Sequence, residues 1–211
     1  MKKTINICWF RRDLRLEDNA AFYHALRSSN PILPVFIFDK EILDKLDSKS
    51  DRRVQFIHDT ILQLQQELVN LKSTFHVFYL TPENAFRKLL EIYNIETVFT
   101  NHDYEPYARE RDEKITKQLK QANIALKTFK DQVIFEKSEV MKDNGTPYTV
   151  FTPYSKKWKA ALKPFHFKPY PTKKYFGNLF QHAPLSIPSL KQMGFESTEK
   201  RFPPKDAEAA L

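Results

Sequence analysis

Apolar residues fall along this chain in short blocks that switch between two periods. Ile5, Ile7, Cys8, Trp9 and Phe10 make a continuous run of β-branched and aromatic side chains. Such a run suits a strand buried on both faces. Residues 31–39 (PILPVFIFD), 75–80, 95–100 and 124–129 read the same way, with Val133, Ile134 and Phe135 as a short addition. Between them the period lengthens. An alanine-rich helix is predicted over residues 20–27, capped by Asp18 or Asn19. Ser48–Asp51 opens a long helix whose Val54, Ile57, Ile61, Leu64, Leu68 and Leu71 alternate spacings of three and four. Thr81-Pro82 is a cap followed by a first-turn proline, ahead of Ala85, Phe86, Leu89, Leu90 and Tyr93, with Asn94 closing the helix. Residues 108–121 form a charged helix with Ile115 and Leu119 inward. Five strands alternating with helices predict an α/β, doubly wound, five-stranded parallel sheet with helices on both faces.

The pattern changes near Asn144. Most of the 13 prolines lie at or after Pro147, with all three glycines and interleaved aromatics from Tyr148 to Phe180. This predicts an α/β domain over residues 1–135 and an irregular linker over 136–211, packed over other surfaces. The run Lys205–Leu211 is helix-forming and stops as it starts, which reads as a cut through a longer protein.

Composition narrows the class. At 41% hydrophobic and 28% charged, the 211 residues fit a folded domain and not a disordered chain. No apolar run approaches the ~20 residues of a bilayer span, so no membrane partner is expected. Cys8 stands alone, which excludes an internal disulfide and suits a cytoplasmic protein. The net charge of +8 sits mainly after residue 145. We read those lysines as keeping a linker solvated rather than gripping nucleic acid.

Residues 1–144 hold no glycine, which excludes a G-x-G-x-x-G turn and a P-loop, since both need backbone amides close to phosphate. The six histidines show no metal-ligand spacing. What remains is a set of polar groups at strand ends: Arg11 after the first strand, Asp39 after the second, and Asn101, Asp103 and Glu105 after the fourth. Arg53 begins the long helix and is expected over the same edge, with Phe36 and Phe38 walling Asp39. Ligands bind at the carboxyl edge of open parallel sheets. Aromatic walls with carboxylate and amide groups suit a flat, polar-edged ring system.

WFRRDLRLEDN (9–19), NHDYEPYARERD (101–112), YTVFTPYSKKW (148–158) and PSLKQMGFES with RFPPKDAEAAL resemble the DNA photolyase/cryptochrome family. The resemblance covers the family's N-terminal antenna domain and linker. It implies a light-harvesting domain of a blue-light, FAD-dependent deoxyribodipyrimidine photolyase, a lyase acting on pyrimidine dimers in DNA. The FAD-binding domain would be a separate C-terminal part of the same chain, and this part alone would be inactive and monomeric. It further implies an antenna pigment held by Arg11, Phe36, Asp39, Arg53, Asn101, Asp103 and Glu105. Folate-binding relatives often carry Asn-Glu where Tyr107 and Ala108 stand here, so 8-hydroxy-deazaflavin or FMN is expected over methenyltetrahydrofolate. Two alternatives are the same domain of a cryptochrome photoreceptor and an unrelated flavin- or nucleotide-binding α/β protein.

Overall fold

The computed structural model describes residues 3–198; the expected helical run at 205–211 lies outside them. Five strands, β1 (Thr4–Phe10), β2 (Ile32–Asp39), β3 (His76–Leu80), β4 (Asn94–Asn101) and β5 (Ala125–Phe129), form one sheet in the order β3-β2-β1-β4-β5. Every neighbouring pair is parallel, with Phe10 opposite Phe36 and Cys8 opposite Phe99. The helices are α1 (Ala20–Leu26), α2 (Lys40–Leu43), α3 (Arg52–Asn70), α4 (Pro82–Ile92), α5 (Pro106–Gln121) and α6 (Phe151–Ala161).

Alternation along each central strand divides the core in two. Cys8, Phe10, Phe36 and Phe38 join Phe22 of α1 and Ile61, Leu64 and Leu68 of α3 on one face. Ile5, Ile7, Trp9, Val35 and Ile37 join Phe86 and Leu89 of α4 and Ile115 and Leu119 of α5 on the other. A strand of period two sends successive side chains to opposite faces, so the unbroken apolar runs of β1 and β2 feed both layers at once. The α3 stripe differs in two places: Leu71 is exposed, and His58 is buried with its Nε2 3.1 Å from the Pro188 carbonyl.

The proline- and aromatic-rich segment behaves in two ways. Residues 170–198 fold back onto the sheet domain. Leu179 bridges Ile32 in parallel, and Leu179, Met193 and Phe195 are buried in the α1/α3 layer. The Asn178 amide donates to the carbonyls of Leu26, Ser28 and Asn30 at 2.9–3.1 Å, serving acceptors that the end of α1 leaves open. Residues 151–161, by contrast, are not irregular but form α6. Its only proline, Pro153, sits in the first turn, where the missing N–H costs nothing. No α6 residue is buried.

Val133, Ile134 and Phe135 do not extend the sheet. Asp131 accepts from the Ala20 N–H at 2.9 Å and from Arg15 at 2.7 Å, which draws the chain off the open edge of β5. Phe135 then packs edge-on against Trp158 and His166.

One half-buried group gives the fold a pH dependence. His76 stacks on Phe78 at 4.2 Å, its Nδ1 is 3.3 Å from the Tyr93 hydroxyl, and His182 stands close. Burial, helped by His182, pushes its imidazole down to about 4. As pH falls below about 6.5 the unfolded chain takes up this proton first. Stability that is complete above pH ~6.5 is therefore lost progressively down to about 4. With partial solvent screening the expected loss is about 2 kcal/mol. Urea midpoints at pH 7 and 4.5 will differ accordingly, and His76→Phe will shrink the difference.

Candidate functional site

β1 ends by handing the chain to a loop that begins Arg11-Arg12-Asp13, and β2 ends at Asp39, the cap of α2. These two ends, the loop after β4, α3 and α5 enclose a crevice of about 230 Å³ at the carboxyl edge of the sheet. Trp9, Phe36 and Phe38 form its aromatic walls, with Ile42, Leu43, Ile57 and Pro82 completing the apolar lining. Phe36 and Phe38 meet edge-to-face at 4.9 Å. The polar groups facing in are Arg12, Asp39, Asp103 and Arg111, with Arg11 at the margin.

Asp39 carries the most distinctive chemistry. One carboxylate oxygen caps the Glu41 N–H at 3.0 Å, and the other accepts the Tyr107 hydroxyl at 2.6 Å. Burial raises its pKa, against the opposing pull of Tyr107, the Glu41 amide and Arg111. Burial and the facing Asp39 push the Tyr107 phenol well above its ordinary range. Asp103 is nearly buried, 3.7 Å from Arg12 and 4.0 Å from Arg111. A second cationic cluster stands behind it. Arg11 donates from one nitrogen to both oxygens of Asp112 at 2.7 Å and from the other to the Asn101 carbonyl. Arg111 reaches the same Asp112 at 3.1 Å. Both guanidiniums lie over Trp9, their carbons 5.1 and 5.0 Å from its ring centroid. Burial lowers the Arg11 pKa, and Asp112 opposes it. Among the described residues no group of His, Cys, Asp or Glu is arranged to hold a metal ion, and no helix is long and apolar enough to cross a membrane.

A sequence model of the DNA photolyase family matches residues 6–174 of this chain. The chain belongs to the DNA photolyase family. Similarity to a deoxyribodipyrimidine photo-lyase of Synechococcus sp. (strain ATCC 27144) is 31% identity over 96% of this chain and 42% of that protein. An uncharacterized 31.6 kDa protein of Synechococcus sp. (strain PCC 6716) is 30% identical over the whole chain, which covers 74% of it. Among solved structures, a class III photolyase from Agrobacterium tumefaciens superposes with a TM-score of 0.76 at 24% identity, over 94% of this chain and 40% of that one. An archaeal photolyase from Sulfolobus tokodaii, solved with two FAD molecules, gives a TM-score of 0.59 at 33% identity, over 64% of this chain and 31% of that one. The photolyase-family chain thus spans less than half the length of the relatives named photolyase. The family match also sets aside the unrelated nucleotide-binding protein.

Within this photolyase-family domain, the residues picked out from sequence separate into two groups. Phe36, Asp39 and Asp103 line the crevice together, and Arg11 borders it while committed to Asp112. Three others do not join them. The Arg53 side chain is largely exposed and turns back onto its own helix cap, Asp51, at 2.6 Å. A cap carboxylate two residues away outcompetes a crevice further off. Glu105 caps the start of α5 by its backbone and is exposed. Asn101 is 3% exposed but spent: its oxygen accepts the Ala21 N–H at 2.8 Å, and its nitrogen donates to Asp13 and Asn19 at 2.5 and 2.9 Å.

The sequence expectation missed Trp9, Arg12, Arg111 and Tyr107. Trp9 was readable as the last residue of an alternating strand, one step before the edge. Arg111 and Asp112 were not, because ARERDEK has the composition of a solvated helix face. The reversal in strand order falls between β1 and β4, where Arg11, Arg12, Asp13, Asn101 and Asp103 line a polar pocket of about 300 Å³, whereas the aromatic-walled space opens over β1 and β2.

Proposed function

We propose that this chain is the light-harvesting domain of a deoxyribodipyrimidine photolyase, and that its crevice takes a flavin-type antenna pigment. The observation carrying the reading is the crevice itself: three aromatic walls around two nearly buried carboxylates and a guanidinium. The donor set fits a fused, polar-edged ring. Phe36, Phe38 and Trp9 supply stacking surface, Asp39 and Asp103 accept ring N–H or hydroxyl hydrogens, and Arg111 donates to a ring carbonyl. When bound, such a pigment supplies blue-light absorption and passes the excitation on. The protein's part is to fix the ring's orientation and exclude water from its faces.

A flavin or 8-hydroxy-deazaflavin is favoured over a folate. Tyr107 and Ala108 stand where folate-binding relatives often carry Asn-Glu. The Sulfolobus tokodaii relative was solved with two FAD molecules, described as an implication of a novel light-harvesting cofactor. Partners follow from the same reading: a C-terminal FAD-binding domain of the same chain, and through it damaged DNA with the dimer flipped out of the helix.

Fluorescence titration with FMN, 8-hydroxy-deazaflavin and methenyltetrahydrofolate tests this. One of the first two saturates the protein, and Asp39→Asn weakens it about tenfold, the loss of one charge-assisted hydrogen bond. Asp103→Ala weakens it comparably. Saturable binding of none of the three, or binding indifferent to both substitutions, overturns the assignment.

A further inference from the structure

We propose that Arg11 and Arg111 guard Trp9, holding the indole's electrons so that Trp9 does not quench an excited pigment in the crevice. The inference rests on the flavin-type reading above. An excited ring of that class is a strong one-electron oxidant, and an indole gives up an electron more readily than a phenyl ring. Trp9 lines the crevice, so the two would meet within the same cavity. Their contact opens a loss step. One electron leaves the indole for the excited ring, so the indole is oxidised to a radical cation and the pigment ring is reduced by one electron. Return of that electron restores both in their ground states, and the excitation is gone as heat. No bond is made or broken and no proton moves. An antenna site with an indole in its wall must suppress this step.

The structure holds the means to do so. A cation over an aromatic face stabilises the neutral ring and opposes placing a positive charge on it. Here two guanidiniums do this to one indole, with their carbons 5.1 and 5.0 Å from its centroid. Both cations are nearly buried, and so is Trp9 at 2% exposure, so water screens the effect little. Asp112 clamps both guanidiniums, at 2.7 and 3.1 Å, and Asp103 stands 4.0 Å from Arg111. These carboxylates moderate the field but also fix the cations over the ring. Packing alone does not call for this arrangement. Apolar side chains of similar volume would cover an indole without the desolvation that two buried guanidiniums require. The other wall rings, Phe36 and Phe38, are not readily oxidised, so Trp9 is the one wall residue that needs guarding.

Time-resolved fluorescence of FMN bound to four proteins decides the matter: wild type, Trp9→Phe, Arg111→Gln and the double variant. Trp9→Phe is the conservative arm and keeps the crevice aromatic. It changes the pigment lifetime by no more than about a tenth, because the guarded indole is nearly silent. Arg111→Gln raises the quenching rate about fivefold, the change that ~1 kcal/mol of lost cation–π interaction produces, and from so small a channel this shortens the lifetime by roughly 30%. The double variant returns the lifetime to the wild-type value. A lifetime lengthened severalfold by Trp9→Phe alone shows an unguarded indole and overturns the inference. So does an Arg111→Gln lifetime that is unchanged with FMN bound, or shortened equally without Trp9. Failure of wild type to bind FMN is a separate result: it overturns the FMN form of the pigment reading, and the guard with it.

Discussion

Asn101→Leu lowers stability by about 3 kcal/mol, and the folded fraction binds pigment as the wild type does. The size of the effect follows from what the side chain holds. Its oxygen receives the Ala21 N–H in the first turn of α1, and its nitrogen donates to Asp13 and to Asn19, the α1 cap. Leucine keeps the volume but leaves a buried N–H, a carboxylate and an amide each one partner short. Each unsatisfied buried group costs about 1–3 kcal/mol, with some recovered by relaxation. Urea denaturation will show a lower midpoint at an unchanged slope, since the surface exposed on unfolding is the same. The binding half of the prediction separates two roles for a residue that sequence alone assigns to the pigment. Full stability with lost affinity would return Asn101 to the pigment site.

Asn101 also shows where a reading of the sequence stops. The five strands, their order of appearance and the helices between them were legible because hydrophobic period is a local property. So was the carboxyl edge as the place for a ligand, because parallel topology fixes it. Which polar side chains at that edge remain free is not local. Asn101, Asp39 and Asp103 look alike in sequence, as polar residues just past apolar runs. Asn101 is consumed by α1 and Asp13, some 80 residues earlier in the chain. Arg53 is consumed by its own cap. Arg111 and Asp112 escaped notice for the converse reason: a helix rich in both charges gives no sign of which of its arginines is buried. Trp9 was visible as core but not as wall, since its role depends on where the crevice opens between β1 and β2.

Asp112→Ala is the most damaging single polar substitution expected, at about 3–5 kcal/mol, because it strands two cations. Arg11 and Arg111 share this one carboxylate, and both are buried. Truncating it leaves Arg11 with only the Asn101 carbonyl and Arg111 with Asp103 at 4.0 Å. Thermal and urea unfolding of the single variant give the cost directly. The double variant Arg11→Met, Asp112→Leu gives what it means. Removing Arg11 together with Asp112 leaves one stranded cation instead of two, Arg111 with Asp103 at 4.0 Å, while filling the space, so about half of the lost stability returns. A double variant as unstable as Asp112→Ala would make the ion pair itself a source of stability. Recovery instead shows that apolar side chains serve the fold about as well. Two buried guanidiniums over Trp9 would then need a reason other than folding, and the pigment lifetime in that same stable double variant supplies the check. With Arg111 alone over the indole, quenching should appear in a protein whose fold is intact.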